Sequence, residues 1–119
     1  MSLMMVTSQA QGDVLRERER QFYEERWTDE HDDQHDKGQL AFAGAAYALA
    51  AAIQAELVGH GKDPKFAATA AGLAKAPAWW PFSTSWWKPK DRRRDLVRAA
   101  ALIIAEIERL DRAEAKGGQ

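Results

Sequence analysis

Three clusters of side chains in this sequence could do chemistry. From Thr28 to Asp36 the chain reads Thr-Asp-Glu-His-Asp-Asp-Gln-His-Asp, without an apolar side chain. His31, Asp32, Asp33, His35 and Asp36 supply the nitrogen and oxygen donors that divalent metals take. His31 and His35 stand four residues apart, a spacing that on a continuous helix aims two imidazoles at one zinc. That geometry needs a helix through both residues and a third ligand downstream. The remaining histidine, His60, lies at the far end of a long helix. The same residues also read as a solvated turn in which Asp36 caps the next helix.

The second cluster is basic: Lys88, Lys90, Arg92, Arg93 and Arg94, opposed by Asp91 and Asp95. Arg92–Arg94 fall in the first turn of a helix, where the positive end of its dipole disfavours them. An opposing charge is therefore expected nearby. One source is the acidic segment 29–36 folding back, with Asp32 or Asp33 as the partner. The other is an external anion, such as a nucleotide phosphate, seated on the free N–H groups of the helix start. The third cluster is Trp79-Trp80-Pro81-Phe82-Ser83-Thr84-Ser85-Trp86-Trp87. In each tryptophan doublet one ring should pack inward and the other line a groove or a subunit contact. Trp27, Trp86, Trp87, Lys90, Arg92, Arg93 and Arg94 form the candidate ligand-binding set. No catalytic residue is assigned, because none of Ser2, Ser8, Ser83 and Ser85 has an evident histidine partner and no phosphate loop is present.

These clusters must be positioned by a small domain. The chain has 119 residues, 17 Lys and Arg against 18 Asp and Glu, and no cysteine. That length fits one domain with a core of its own. A net charge of -1 gives no overall attraction to nucleic acid or an acidic membrane. Lack of cysteine excludes disulfides, cysteine zinc sites and thiol nucleophiles, and fits a reducing compartment. Residues 38–55 carry no charge but are half alanine, which suits a core helix better than a membrane span. The N-terminus lacks the features of a signal peptide. The expectation is a cytoplasmic protein with no membrane partner and with nucleic acid disfavoured as one. An anionic small molecule and a second copy of the chain are the partners it could take.

Hydrophobic periodicity predicts an all-α bundle of three long helices and one short one. The first runs from an Asp13 cap to about Trp27. The second spans Leu40–Val58 behind an Asp36/Gln39 capping box, with Phe42, Ala46, Leu49, Ile53 and Leu57 facing inward. Gly59-His60-Gly61 ends it. Asp63-Pro64 starts a short helix to about Lys75, turning Phe66, Ala70 and Leu73 inward. Residues 76–90 form an ordered aromatic loop. The last helix covers about Lys90–Ala115 with a core stripe of Leu96, Ala99/Ala100, Ile103, Ile107 and Leu110, widened by Val97, Leu102 and Ile104. Residues 1–11 are expected to be disordered, 12–115 to form one helical domain, and 116–119 to be a frayed tail.

Arg18-x-Arg20-Gln21, Arg26-Trp27-Thr28-x-Glu30-His31-Asp32-Asp33, Trp86-Trp87-Lys88-Pro89-x-Asp91-Arg92-Arg93-Arg94-Asp95-Leu96-Val97 and Ala105-Glu106-Ile107-Glu108-Arg109-Leu110-Asp111-Arg112 resemble a family of small phage and prophage proteins of no established activity. The resemblance covers about residues 13–112. More distantly the layout is similar to the ryanodine-receptor repeat module, with Trp27, Asp33, Lys37 and the Lys90-Asp91 turn at matching places. Arg26 stands where that module has glycine, and its His-Pro pair is absent. The likeness implies a non-enzymatic binding module for a nucleotide-like anion or a protein partner, with no cofactor. The alternative is a degenerate or divergent relative of the all-helical MazG-type nucleoside triphosphate pyrophosphohydrolases. Those enzymes hold Mg2+ with two acidic pairs, whereas here the second helix carries only Glu56, and Asp91/Asp95 and Glu106/Glu108 of the last stand at other spacings. That reading would require three or more acids, from Asp32, Asp33, Asp36, Asp91 and Asp95, to converge on one pocket.

Overall fold

The computed structural model describes residues 8–73 and 76–117, side chains at 68, 69 and 71–73 excepted. Its helices are α1 (Gln9–Tyr23), α2 (Asp29–Asp33), α3 (Gln39–Gly59), α4 (Pro64–Leu73) and α5 (Arg92–Gly117), with a 3-10 turn at Thr84–Trp86. The chain is all-α, and three of its helices are long, as the periodicity predicts.

The caps explain where the boundaries differ. Ser8 and Gln11 form a reciprocal capping box: Ser8 Oγ accepts from the Gln11 N–H at 3.1 Å, and Gln11 Oε1 accepts from the Ser8 N–H at 3.2 Å. Residues 8–11, expected to be disordered, are therefore the cap and first turn of α1, while residues 1–7 lie outside the described residues. Thr28 Oγ1 accepts from the His31 N–H at 3.3 Å and starts α2 inside the segment expected to be a loop. The Asp36/Gln39 box does not form. Gly38, at φ 82°, is the cap of α3, and Gln39 Oε1 accepts instead from the Lys37 N–H.

The end of α3 matches expectation, with Gly61 left-handed at φ 85°. So does the start of α4, where Asp63 Oδ1 accepts from the N–H groups of Lys65 and Phe66 at 2.8 and 3.2 Å. Residues 74–75 and the Leu73 side chain, expected in α4 and its core face, lie outside the described residues. α5 is helical through Gly117 rather than frayed from 116. Residues 118–119 lie outside the description.

Arg26 takes φ 63°, the left-handed region that disfavours a Cβ, in the turn between α1 and α2. Arg26→Gly should relieve that strain. Allowing for glycine's extra freedom in the unfolded chain, the net gain should be about 0.5–1 kcal/mol. Urea unfolding checks this, and an unchanged or lowered midpoint would contradict it.

α3 and α5 form the principal helix pair, α4 packs on α3, and α1 and α2 pack on α5. Their buried faces match the predicted ones only in part: Ala46 of α3 and Val97, Ala99 and Leu102 of α5 are buried as expected. Phe42, Leu49 and Ile53 of α3, and Leu96, Ile103, Ile107 and Leu110 of α5, are between 37% and 52% exposed. Inside lie Leu40, Ala43, Ala46, Ala50 and Ala51 from α3, and Val97, Ala99, Ala101, Leu102 and Ala105 from α5. α4 likewise exposes Phe66 and buries Ala67. The physical reason is visible at Gly44. A Cβ built there would stand 3.1 Å from the Ala99 carbonyl oxygen and 3.1 Å from Ile103 Cγ1. At this crossing the two backbones leave room for a hydrogen and little more, so methyl-sized neighbours fill the seam. α3 is long and apolar enough to cross a membrane by length and composition, and part of it is buried against its neighbours.

Candidate functional site: an aromatic cage beside a charged cleft

The site is organised by Tyr47, which α3 turns inward among its alanines. A buried phenol needs partners for its hydroxyl. Tyr47 Oη donates to the Trp86 carbonyl and accepts from the Lys88 N–H, both at 3.2 Å, which fastens the aromatic segment to α3. Burial pushes this phenol above its ordinary pKa, which keeps it protonated as a donor. Trp80 Nε1 donates to the Ser83 carbonyl at 3.0 Å, and the 3-10 turn follows. Each tryptophan doublet divides as expected. Trp80 and Trp87 pack against the core cluster, while Trp79 and Trp86 are the exposed members.

The rings form a nearly closed circuit. Trp86 lies 6.1 Å from Trp27, Trp27 stacks on His31 at 5.7 Å and 2°, and His31 lies 4.6 Å from His35. His35 meets Phe82 edge-on at 5.2 Å, Phe82 meets Trp80 at 5.8 Å, and Trp80 meets Tyr47 at 5.8 Å. The Tyr47–Trp86 hydrogen bond closes the loop. All of these rings but His35, with Leu40, Ala43 and Leu102, line a cavity of about 160 Å³. An apolar cavity of about 150 Å³ accepts a benzene-sized ring.

Trp27, Tyr47, Trp86 and Leu102 also wall an adjoining cleft of about 210 Å³, whose polar side carries Glu17, Arg20, Gln21, Glu25, Lys88 and Arg98. Gln21 is 2% exposed. Its Nε2 donates to Glu17 Oε2 at 3.1 Å, which fixes the amide's orientation, and its Oε1 has no hydrogen-bond partner among the described residues. A buried, unpaired acceptor is costly, so this oxygen is set to receive a donor. Arg20 is committed to Glu17 and Glu25, both at 2.9 Å. Lys88 Nζ lies 6.0 Å over the Trp86 ring, and the Arg98 guanidinium, 5.5 Å over Tyr47, donates to the Lys88 carbonyl. Neither cation is paired with a carboxylate among the described residues.

The structure divides the predicted ligand set. Trp27 and Trp86 line both spaces, while Trp87 stacks on Tyr47 at 5.0 Å within the core cluster. Lys90 contributes its backbone N–H to Asp95 Oδ1 at 2.8 Å. Arg92 is exposed with no partner among the described residues. Arg93 pairs with Asp13 at 2.8 Å and Arg94 with Glu17, so the charges opposing this helix start come from α1. The expected pairing of Arg92–Arg94 with segment 29–36 is not made.

That segment sits near the other end of α5, about 27 Å along the helix from Arg94. Asp33 and Asp29 pair with Arg112 at 2.8 and 3.4 Å, and Asp32 pairs with Arg18 at 3.1 Å. The Arg112 guanidinium holds the Asp33 carboxyl below its ordinary pKa. His31 Nδ1 lies 2.9 Å from Asp32 Oδ1, and His35 Nδ1 lies 2.8 Å from the His31 carbonyl oxygen. No three His, Asp or Glu side chains gather as a metal site among the described residues. Nor do Asp32, Asp33 and Asp36 meet Asp91 and Asp95. Asp95 is fully buried where Gln54 Nε2 donates to its Oδ2 at 3.1 Å, and burial raises its pKa. The residues that sequence reasoning missed are Gln21, Tyr47, Phe82 and Arg98. Tyr47 alone left a signal, a single phenol in an alanine helix.

Comparison of the chain with protein-family models, curated proteins and solved structures returns no match.

Proposed function

We propose that this protein is a small-molecule binding module of phage or prophage type, acting in the cytoplasm without a cofactor. Its ligand combines one flat heteroaromatic ring with an anionic group, as a nucleotide does. The observation that carries the reading is the aromatic cage opening onto a cleft where two cations, Lys88 and Arg98, form no ion pair among the described residues. The ring enters between Trp27 and Trp86. A ring N–H is received by Gln21 Oε1, and the anion reaches Lys88 and Arg98. This moves the anion-holding role from the expected Lys90 and Arg92–Arg94 to cations beside the cage. The cage admits one ring, so sugar and phosphate must lie in the cleft. A charged ligand on these residues forms charge-assisted hydrogen bonds, the stronger kind.

Tryptophan fluorescence and thermal shift against a panel of nucleosides and nucleotides test the reading. A ligand at 100 times its dissociation constant should add about 2.7 kcal/mol to stability. Trp27→Ala should abolish that gain while retaining helical circular dichroism. No shift with any purine or pyrimidine compound would refute it. Pyrophosphate release from a nucleoside triphosphate with Mg2+ would favour the hydrolase reading instead.

A further inference from the structure

The outer face of α5 carries Leu96, Ala100, Ile103, Ile107 and Leu110, spaced four, three, four and three residues apart, with Ile103 at its edge, where Cγ1 also reaches Gly44 of α3. That is the spacing of a helix–helix seam. All but Ala100 are large side chains close to half exposed. The charges at its two ends differ in sign. Arg92 lies at the start of the seam and Glu114 continues it beyond Leu110, with Asp111 alongside. All three are exposed, and none has a hydrogen bond or ion pair among the described residues. The late basic residues of α5 pair elsewhere: Arg109 bonds Glu106, and Arg112 and Lys116 pair with Asp33.

We infer that this seam is the interface with a second copy of the chain, with the two α5 helices antiparallel and crossing near Ile103. Arg92 and Glu114 are equidistant from Ile103 in sequence, as are Leu96 and Leu110. A two-fold axis at Ile103 therefore places leucine on leucine and the unpaired arginine of one copy beside the unpaired glutamate of its partner. Parallel copies would set arginine against arginine and glutamate against glutamate. The seam is charge-complementary to itself in one orientation only.

Sedimentation of the full chain should give a concentration-dependent dimer. Ile107→Glu and Leu110→Glu, both on the open face, should weaken it by at least about tenfold with unchanged helical circular dichroism. Glu114→Arg should weaken it, and Arg92→Glu combined with Glu114→Arg should restore it. As the chain has no cysteine, single replacements report orientation. Ile103→Cys should cross-link two copies on oxidation, and Arg92→Cys should not. A monomer at all concentrations, an Ile107→Glu variant that dimerises like the wild type, or Arg92→Cys cross-linking as well as Ile103→Cys would each overturn the proposal. So would association with phospholipid vesicles in place of self-association.

Discussion

Glu17→Ala should destabilise the protein by about 2–4 kcal/mol, more than any other single charge removal in α1. Glu17 is 2% exposed in the seam between α1 and α5. Its carboxylate accepts from Arg20 Nε and Nη2 at 2.9 and 3.0 Å, from Gln21 Nε2, and from Arg94 across the seam. Removing it strands the buried Gln21 amide, whereas Arg20 and Arg94, each about a third exposed, regain water. That recovery keeps the expected loss below the top of the range for buried pairs. Burial alone would raise the Glu17 pKa, but the hydrogen bonds from Arg20 and Arg94 outweigh it and hold the carboxyl below its ordinary 4.5. A lowered native pKa means that the unfolded chain binds the proton more readily. The contribution is therefore complete above about pH 4.5 and is lost as pH falls through the native value. Asp13 and Asp33 shift the same way, and buried Asp95 the opposite way. Urea unfolding from pH 7 to pH 3 should show wild type and Glu17→Gln converging as the solution is acidified. A gap independent of pH would mean that the carboxylate's charge plays no part.

Caps and composition made much of this fold legible. Asp63-Pro64 and the glycines after α3 encode their breaks locally, in side chains that bond or backbones that need no Cβ. The tryptophan doublets declared an ordered segment because that much aromatic area must be buried. The faces of α3 and α5 were legible from periodicity only in part. A helix with alanine on nearly every side satisfies several stripes at once, and bulk is a natural guide to the inside only when the helices stand far apart. Gly44 brings the backbones too close for that rule. The ion pairs were hidden for a different reason. Arg94 and Glu17, or Arg112 and Asp33, are far apart in sequence, and any acidic segment could have met any basic one. Gln21 sits in a charged helix face, where nothing marks one amide for burial.

Leu102→Ala should cost about 2–5 kcal/mol, while Ile107→Ala, five residues further along the same helix, should cost well under 1 kcal/mol in dilute protein. Leu102 is 2% exposed and forms part of the wall of the aromatic cage, whereas Ile107 is 52% exposed. Loss of the Leu102 side chain leaves a void continuous with the cavity, lined by rings that cannot collapse because Tyr47 holds the aromatic segment in place. An apolar void of that kind stays dry, so benzene or indole should raise the melting temperature of Leu102→Ala more than that of the wild type. The Ile107 variant carries the complementary expectation. If α5 pairs with a second copy, its deficit should grow with protein concentration, since association stabilises only the folded chain. Equal losses at the two positions would restore the bulk-inward reading of α5. A deficit at Ile107 that appears only at high concentration would place that residue at the surface of one copy and in the interior of two.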